Sequence, residues 1–346
     1  MRLRSLIVVL AALLMPACTP ADRASDGQSA GQGSASPSSV EASRAPTGSR
    51  LLVKELDYTG EPEDDPSGYT SEVLIGHDDS LYLVTETGIH KFDSTSGEEV
   101  AALALNGGVD AAFVKDRLYV SVQHPVGGGV VGFDVVTVDA ALTRTISKTP
   151  IPDNRELAGI ADADGRVLIA VADGANNRLA YLENGRITFG ALLPPTRFVG
   201  LTYAAGSVWQ TDDSDVVQRV DAGSGEVKQS WQGLQNPLGL EARSSGAYVA
   251  ADEGDAGARV YELLPSGDSR PMTSPVAAPT LIAIGDDLVW IAAGATLTGI
   301  DRNTRETTTT AQLPFESFDD TLAVGRAVWL VGRHANEGNL YLIRYQ

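Results

Sequence analysis

Cysteine is almost missing from this chain: one in 346 residues, Cys18. The part that follows it must fold without disulfides, and it offers no cysteine nucleophile and no cysteine-rich zinc site. Histidine is nearly as scarce, with only His77, His90, His124 and His334. The one Gly-X-Ser-X-Gly pattern, Gly27–Gly31, lies in a Ser- and Gly-rich stretch without the strand and helix that make an elbow, and no glycine-rich phosphate loop precedes a helix, which removes the common hydrolase and nucleotide-binding signatures. VGGGV, residues 126–130, lies between two strand-like runs and reads as a loop. Basic charge is also short. Residues 1–50 hold 5 of the 26 basic and 3 of the 45 acidic residues, so 51–346 carries 21 against 42, a net charge of −21. Such a surface repels phosphate backbones and anionic lipid, so nucleic acid is excluded as a partner.

Long apolar runs are absent beyond the first residues. Arg2 and Arg4 precede the apolar stretch Leu6–Leu14, and Met15, Pro16, Ala17 and Cys18 follow. The stretch is too short for a spanning helix and has the layout of a secretory leader. With Cys18 at the cleavage point it resembles a bacterial lipoprotein signal, which implies a leader over 1–17 and a lipid on Cys18. Localisation is then extracytoplasmic, in the cell envelope, with the membrane as one partner through that lipid. Residues 18–49 are Ser, Gly, Ala, Pro and Gln with few large apolar side chains, a tether that would reach about 30 Å as a flexible coil.

What is present from residue 50 onward is β structure. Short β-rich runs alternate with Gly, Asp, Asn and Ser turns, and no long helical period intervenes. One position recurs: Tyr82 in SLYLV, Tyr119 in RLYVS, Leu168 in RVLIA, Trp209 in SVWQT, Tyr248 in GAYVA, Trp290 in LVWIA and Trp329 in AVWLV. The steps between these are 37, 49, 41, 39, 42 and 39 residues. A period near 40 with four short strands per unit predicts the blades of an all-β, seven-bladed β-propeller over 50–346. Each blade would run a, b, c, d from the axis outward, with Trp209, Trp290 and Trp329 as packing between blades. The last unit supplies only TLAVG, AVWLVG and LYLIRYQ before Gln346. The missing fourth strand is LLVKELD, residues 51–57, so an N-terminal strand closes the ring in the last blade and removes the exposed edges. The hairpins FDSTSGEEV, VDAGSGEVK and IDRNTRETT repeat as well, with Asp93, Asp221 and Asp301 placed to hold each turn against its own backbone.

Two blades carry a family likeness. Residues 157–185, LAGIADADGRVLIAVADGANNRLAYLENG, resemble an NHL repeat, with Asp173, Asn177 and Arg178 on its polar positions. Residues 200–231 resemble the related YVTN and streptogramin-lyase-like propellers of secreted bacterial proteins. The polar residues of VADGANNR are then expected to shape the chain, Asp173 and Arg178 tying strand b to strand c and Asn184-Gly185 forming a hairpin turn. Those families include binding modules, sensor ectodomains, lyases and lactonases, so the fold alone does not choose a function.

In a propeller the d-to-a and b-to-c connections share one face around the channel mouth, where ligands are expected. Starts of strand a supply Glu72, Asp110, Glu156, Arg197, Asn236 and Asp320. The b-to-c loops supply His124, Asp173, Asp212, Asp213, Asp215, Asp252, Glu253, Asp255, Arg333, His334 and Glu337. From these, Glu72, Asp110, His124, Glu156, Arg197, Asn236, Asp320, Arg333 and His334 are the candidate ligand-binding residues. Oxygen-rich loops at TDDSD (211–215) and ADEGDAG (251–257) have the donors for Ca²⁺ or another divalent cation, without the EF-hand spacing. The gluconolactonase-like relatives of this fold hold a central divalent ion with Glu, Asn and Asp; that resemblance implies Glu72, Asn236 and Asp320 as a metal set. Streptogramin lyases use a Glu-X-His arrangement that this chain does not contain. No catalytic residue and no obligatory cofactor is assigned. The reading that follows is a tethered binding or scaffold module for an envelope protein, peptide or glycan; the alternative is a divalent-metal-dependent hydrolase or lyase.

Overall fold

The computed structural model describes residues 50–56, 72–127, 130–155, 157–173, 176–194, 200–211, 215–243, 246–276, 280–333 and 339–346. Within them lie seven four-stranded antiparallel sheets, each built from consecutive strands except the last. Blade 1 comprises Val73–His77, Ser80–Val84, Gly88–Asp93 and Glu99–Ala104, as strands a to d. Blade 2 comprises Gly108–Val114, Arg117–Gly127, Val130–Asp139 and Thr145–Pro150. Blades 3 to 6 span 157–192, 200–232, 237–271 and 280–312. Blade 7 takes strands a to c from Asp320–Val324, Ala327–Arg333 and Leu340–Tyr345, and its strand d is the N-terminal Leu51–Leu56. The expected closure is thus present. Leu51 pairs with Tyr345 and Leu56 with Leu340, and one further rung joins the backbones of Arg50 and Gln346.

Burial explains the strand sequences. Strand b of each blade is sandwiched between two neighbouring blades, so both of its faces are covered and its residues run apolar without alternation; in SVWQT every residue is buried. Strand d lies at the rim with one face in solvent and alternates, as in EVAALA and TTTTAQ. The core is accordingly divided into seven interblade clusters, one per junction. This gives the recurring position its meaning. Tyr82 packs into the junction with blade 2, Trp209 into that with blade 5, Trp290 into that with blade 7 and Trp329 into that with blade 1.

Polar bonds repeat the pattern at the rim. The Tyr82 hydroxyl donates to the Ala140 carbonyl (2.7 Å), Tyr181 to Ala222 (3.2 Å), the Trp231 indole N–H to Leu264 (3.0 Å) and Lys54 Nζ to Gly97 (3.2 Å). Each reaches from one blade to the c-to-d turn of the next, or to its margin. Those turns are rigid in the way the sequence predicts: Asp93 Oδ1 accepts from the amides of Thr95 and Ser96, Asp221 Oδ1 from Gly223 and Ser224, and Asp301 Oδ1 from Asn303 and Thr304. These bonds to the ionised form hold the three carboxyls below the usual aspartate range. Asn184 (φ 50°) and Gly185 (φ 73°) take the left-handed conformation of the expected two-residue hairpin. The Arg178 guanidinium, expected to tie strand b to strand c, donates to the Gly190 carbonyl of strand d (3.3 Å); the Asp173 side chain lies outside the described residues.

Candidate functional site

The d-to-a and b-to-c connections form the upper face, and the a-to-b and c-to-d turns the lower. On the upper face the inner strands begin with carboxylates that hold the ring together. Asp110 is 4% exposed; its Oδ1 accepts from the Ala111 amide (2.8 Å) and its Oδ2 from the Ile160 amide of blade 3 (2.9 Å). Asp320 repeats this at the ring closure, with Oδ1 on the Thr321 amide (2.6 Å) and Oδ2 on the Leu74 amide of blade 1 (2.7 Å). The two are equivalent in register: Asp110 pairs with Ser121 and Asp320 with Val331, each two residues beyond the recurring aromatic. Burial pushes the Asp110 carboxyl up to about 8, against the opposing pull of its two amide bonds.

Glu72, buried just before strand a of blade 1, forms an ion pair with Arg333 at the end of strand b of blade 7. Burial lowers the Arg333 pKa from its ordinary value. The structure therefore brings Glu72 and Arg333 together, and places Asp320 next to them through its bond to Leu74. Asn236 is exposed, holds φ at 38° immediately before Pro237, and gives its amide to Asp215 Oδ1 (3.0 Å). Among the described residues no group of three or more His, Cys, Asp and Glu side chains lies close enough to hold a metal ion. In the 251–257 loop, Asp252 Oδ1 accepts from the Gly254 amide (2.9 Å), and Glu253 accepts from the Tyr261 hydroxyl and lies 3.4 Å from Arg259.

His124 differs in placement from the sequence expectation. It lies within the 11-residue strand Arg117–Gly127, because blade 2 extends its b-to-c hairpin well past the others. Its Nδ1 is 2.9 Å from the buried Asp134 Oδ2, which Lys148 Nζ also approaches at 2.8 Å. Glu156, Arg197, His334, Asp212, Asp213 and Glu337 lie outside the described residues, as do the leader, Cys18 and the tether. Among the described residues no helix is long and apolar enough to cross a membrane.

A second feature, unanticipated from sequence, lies at the lower end of the channel. A cavity of about 370 Å³ is walled by the inner strands of blades 1, 2 and 7, including Leu74, Ile75, Phe113, Leu322 and Val324. Its polar lining comes from His77 and Asp78 of blade 1, Glu241 and Arg243 of blade 5, and Asp286 of blade 6. His77 stacks flat on Phe113, with ring centroids 4.1 Å apart and planes 2° from parallel. Five blades contribute to this lining, so no local motif announces it.

Comparison with known proteins adds the fold. No family model matches the chain, and no curated protein matches it in sequence. Solved propellers do match in shape. The WD40 domain of Neurospora crassa Pan2 superposes with a TM-score of 0.63 at 14% identity, covering 86% of this chain and 95% of that one. The β-propeller domain of Myceliophteria thermophila Cps50 (Swd1) gives 0.60 at 11% identity, covering 79% and 96%. The computationally designed Ika8 protein gives 0.53 at 11%, covering 79% and 96%. At these identities the likeness establishes the β-propeller fold. The NHL and YVTN likeness continues to rest on the residues of blades 3 and 4.

Proposed function

We propose that this chain is an extracytoplasmic lipoprotein whose propeller is a binding and scaffolding module, holding an envelope protein, peptide or glycan on its upper face. The observation that carries the reading is the use made of the upper-face carboxylates. Asp110 and Asp320 bind backbone amides of the following blade, and Glu72 pairs with Arg333 across the closing junction. Groups so engaged fix the ring and the bases of the loops, which leaves the loops as the recognition surface. A propeller fold shared with the Pan2 WD40 domain fits this reading through fold alone.

The test is site-specific photo-crosslinking in cells. A photoreactive residue at Asp255 or Asn236 on the upper face should capture a discrete partner, whereas one at Ser266 or Asn303 in the lower c-to-d turns should not. Capture only from the lower turns would overturn the assignment of the face. Anchoring is tested separately by metabolic labelling with a radioactive fatty acid, expected to disappear in Cys18→Ala. The metal-dependent alternative predicts that a divalent ion raises the melting midpoint of residues 50–346 after EDTA treatment, by mass action on the native state. We expect no shift with Ca²⁺, Mg²⁺, Mn²⁺ or Zn²⁺; a large one, abolished by Glu72→Ala, would replace the binding-module reading with the enzymatic one.

A further inference from the structure

From the cavity at the lower end of the channel we infer a second binding site, for a small organic cation with an apolar or aromatic body. Its volume of about 370 Å³ lies at the small end of ordinary ligand pockets. The wall is mixed: Ile75 and Val324 are half-buried and Leu322 is 9% exposed, and they supply its apolar part beside the charged side chains. A metal ion is poorly matched to it, since hard cations take several oxygen ligands and among the described residues no group of three or more His, Cys, Asp and Glu side chains lies close enough to hold one. Its lining holds three carboxylates, Asp78, Glu241 and Asp286, and one guanidinium, Arg243; His77 Nε2 lies 3.5 Å from Asp78 Oδ2. Glu241 is 9% exposed, so part of that negative charge is set into the wall, where water screens it least. An anion would meet an unfavourable field in a domain of net charge −21; an ammonium group would be drawn to the carboxylates while its hydrocarbon replaced water along Ile75, Leu322 and Val324.

This site is independent of the upper-face reading and sits at the other end of the channel. Isothermal titration of residues 50–346 with phenethylammonium, the neutral 2-phenylethanol and the anionic phenylacetate tests it directly. Phenethylammonium should bind and the other two should bind at least about fivefold more weakly, with the preference shrinking at high salt. Asp78 and Asp286 are exposed turn residues, so the double variant Asp78→Asn/Asp286→Asn should fold normally; Asn also tolerates the φ of 49° at position 78. It should lose roughly three- to tenfold in phenethylammonium affinity, the scale of two screened charge contacts. Equal binding of all three compounds, or affinity unchanged in the double variant, would overturn the cation assignment. Absence of binding by any of them at millimolar concentration would overturn the site. In either event the crosslinking pattern of the upper face is unaffected, so failure here is distinguishable from failure of the proposed function.

Discussion

At the scale of single residues, the buried aspartates separate a structural role from a ligand-binding one. Asp110→Ala leaves the amides of Ala111 and Ile160 without partners inside the ring, a loss of about 2–4 kcal/mol in urea denaturation. A residue that only bound ligand would leave the denaturation midpoint in place. The pH dependence has a definite sign. Because the folded-state pKa of Asp110 is raised to about 8 from 3.8, its contribution is fully present below about pH 4 and is lost as pH rises through 8. The stability gap between the parent and Asp110→Asn should therefore narrow from pH 5 to pH 8, which denaturation at a series of pH values measures. Trp329, 0% exposed in the closing junction, should lose about 3–5 kcal/mol on replacement by Ala. These roles were only half legible in the sequence. The aromatic repeat pointed to interblade packing, but nothing near Asp110 shows that its acceptor site faces an amide 50 residues away.

At the scale of elements, the strand that closes the ring carries the clearest expectation. Leu51–Leu56 supplies one complete edge of blade 7, buries Leu56, and lays Leu52 against the position of Gly97 in the blade 1 turn. Deleting residues 51–57 exposes the edge of Leu340–Tyr345 and opens the junction between blades 7 and 1. The whole domain should then melt cooperatively at a much lower temperature or aggregate through the free edge; a deletion variant melting with the parent would contradict the closure. This element was readable from simple counting, since the seventh unit lacked its fourth strand and one strand remained unassigned. Blade 2 was less readable: its 49-residue step betrayed extra length, but whether that length was loop or hairpin depended on pairing through His124–Gly132. Loop and strand compositions overlap there, because glycines and a proline sit within the extended strands.

At the scale of the whole molecule, the seven blades have equivalent folds and unequal chemistry. The period in sequence set the count of blades, while the lower cavity arises only when five non-adjacent stretches are brought to one axis, so composition and spacing held no trace of it. Closure has one further outcome. Strand c of blade 7 runs toward the lower face and ends beside Arg50, so the chain enters the folded domain from that side, at the start of Leu51–Leu56. With the lipid proposed on Cys18 and a partner proposed on the upper face, any tension between membrane and partner runs along this strand rather than across it. The six strand pairs and the Arg50–Gln346 rung then bear the load in shear, together, instead of opening one after another like a zip. Were the proposed anchor in place, the strand that completes the ring would also be the domain's mechanical fastening, loaded by a pull from the membrane in its strongest direction.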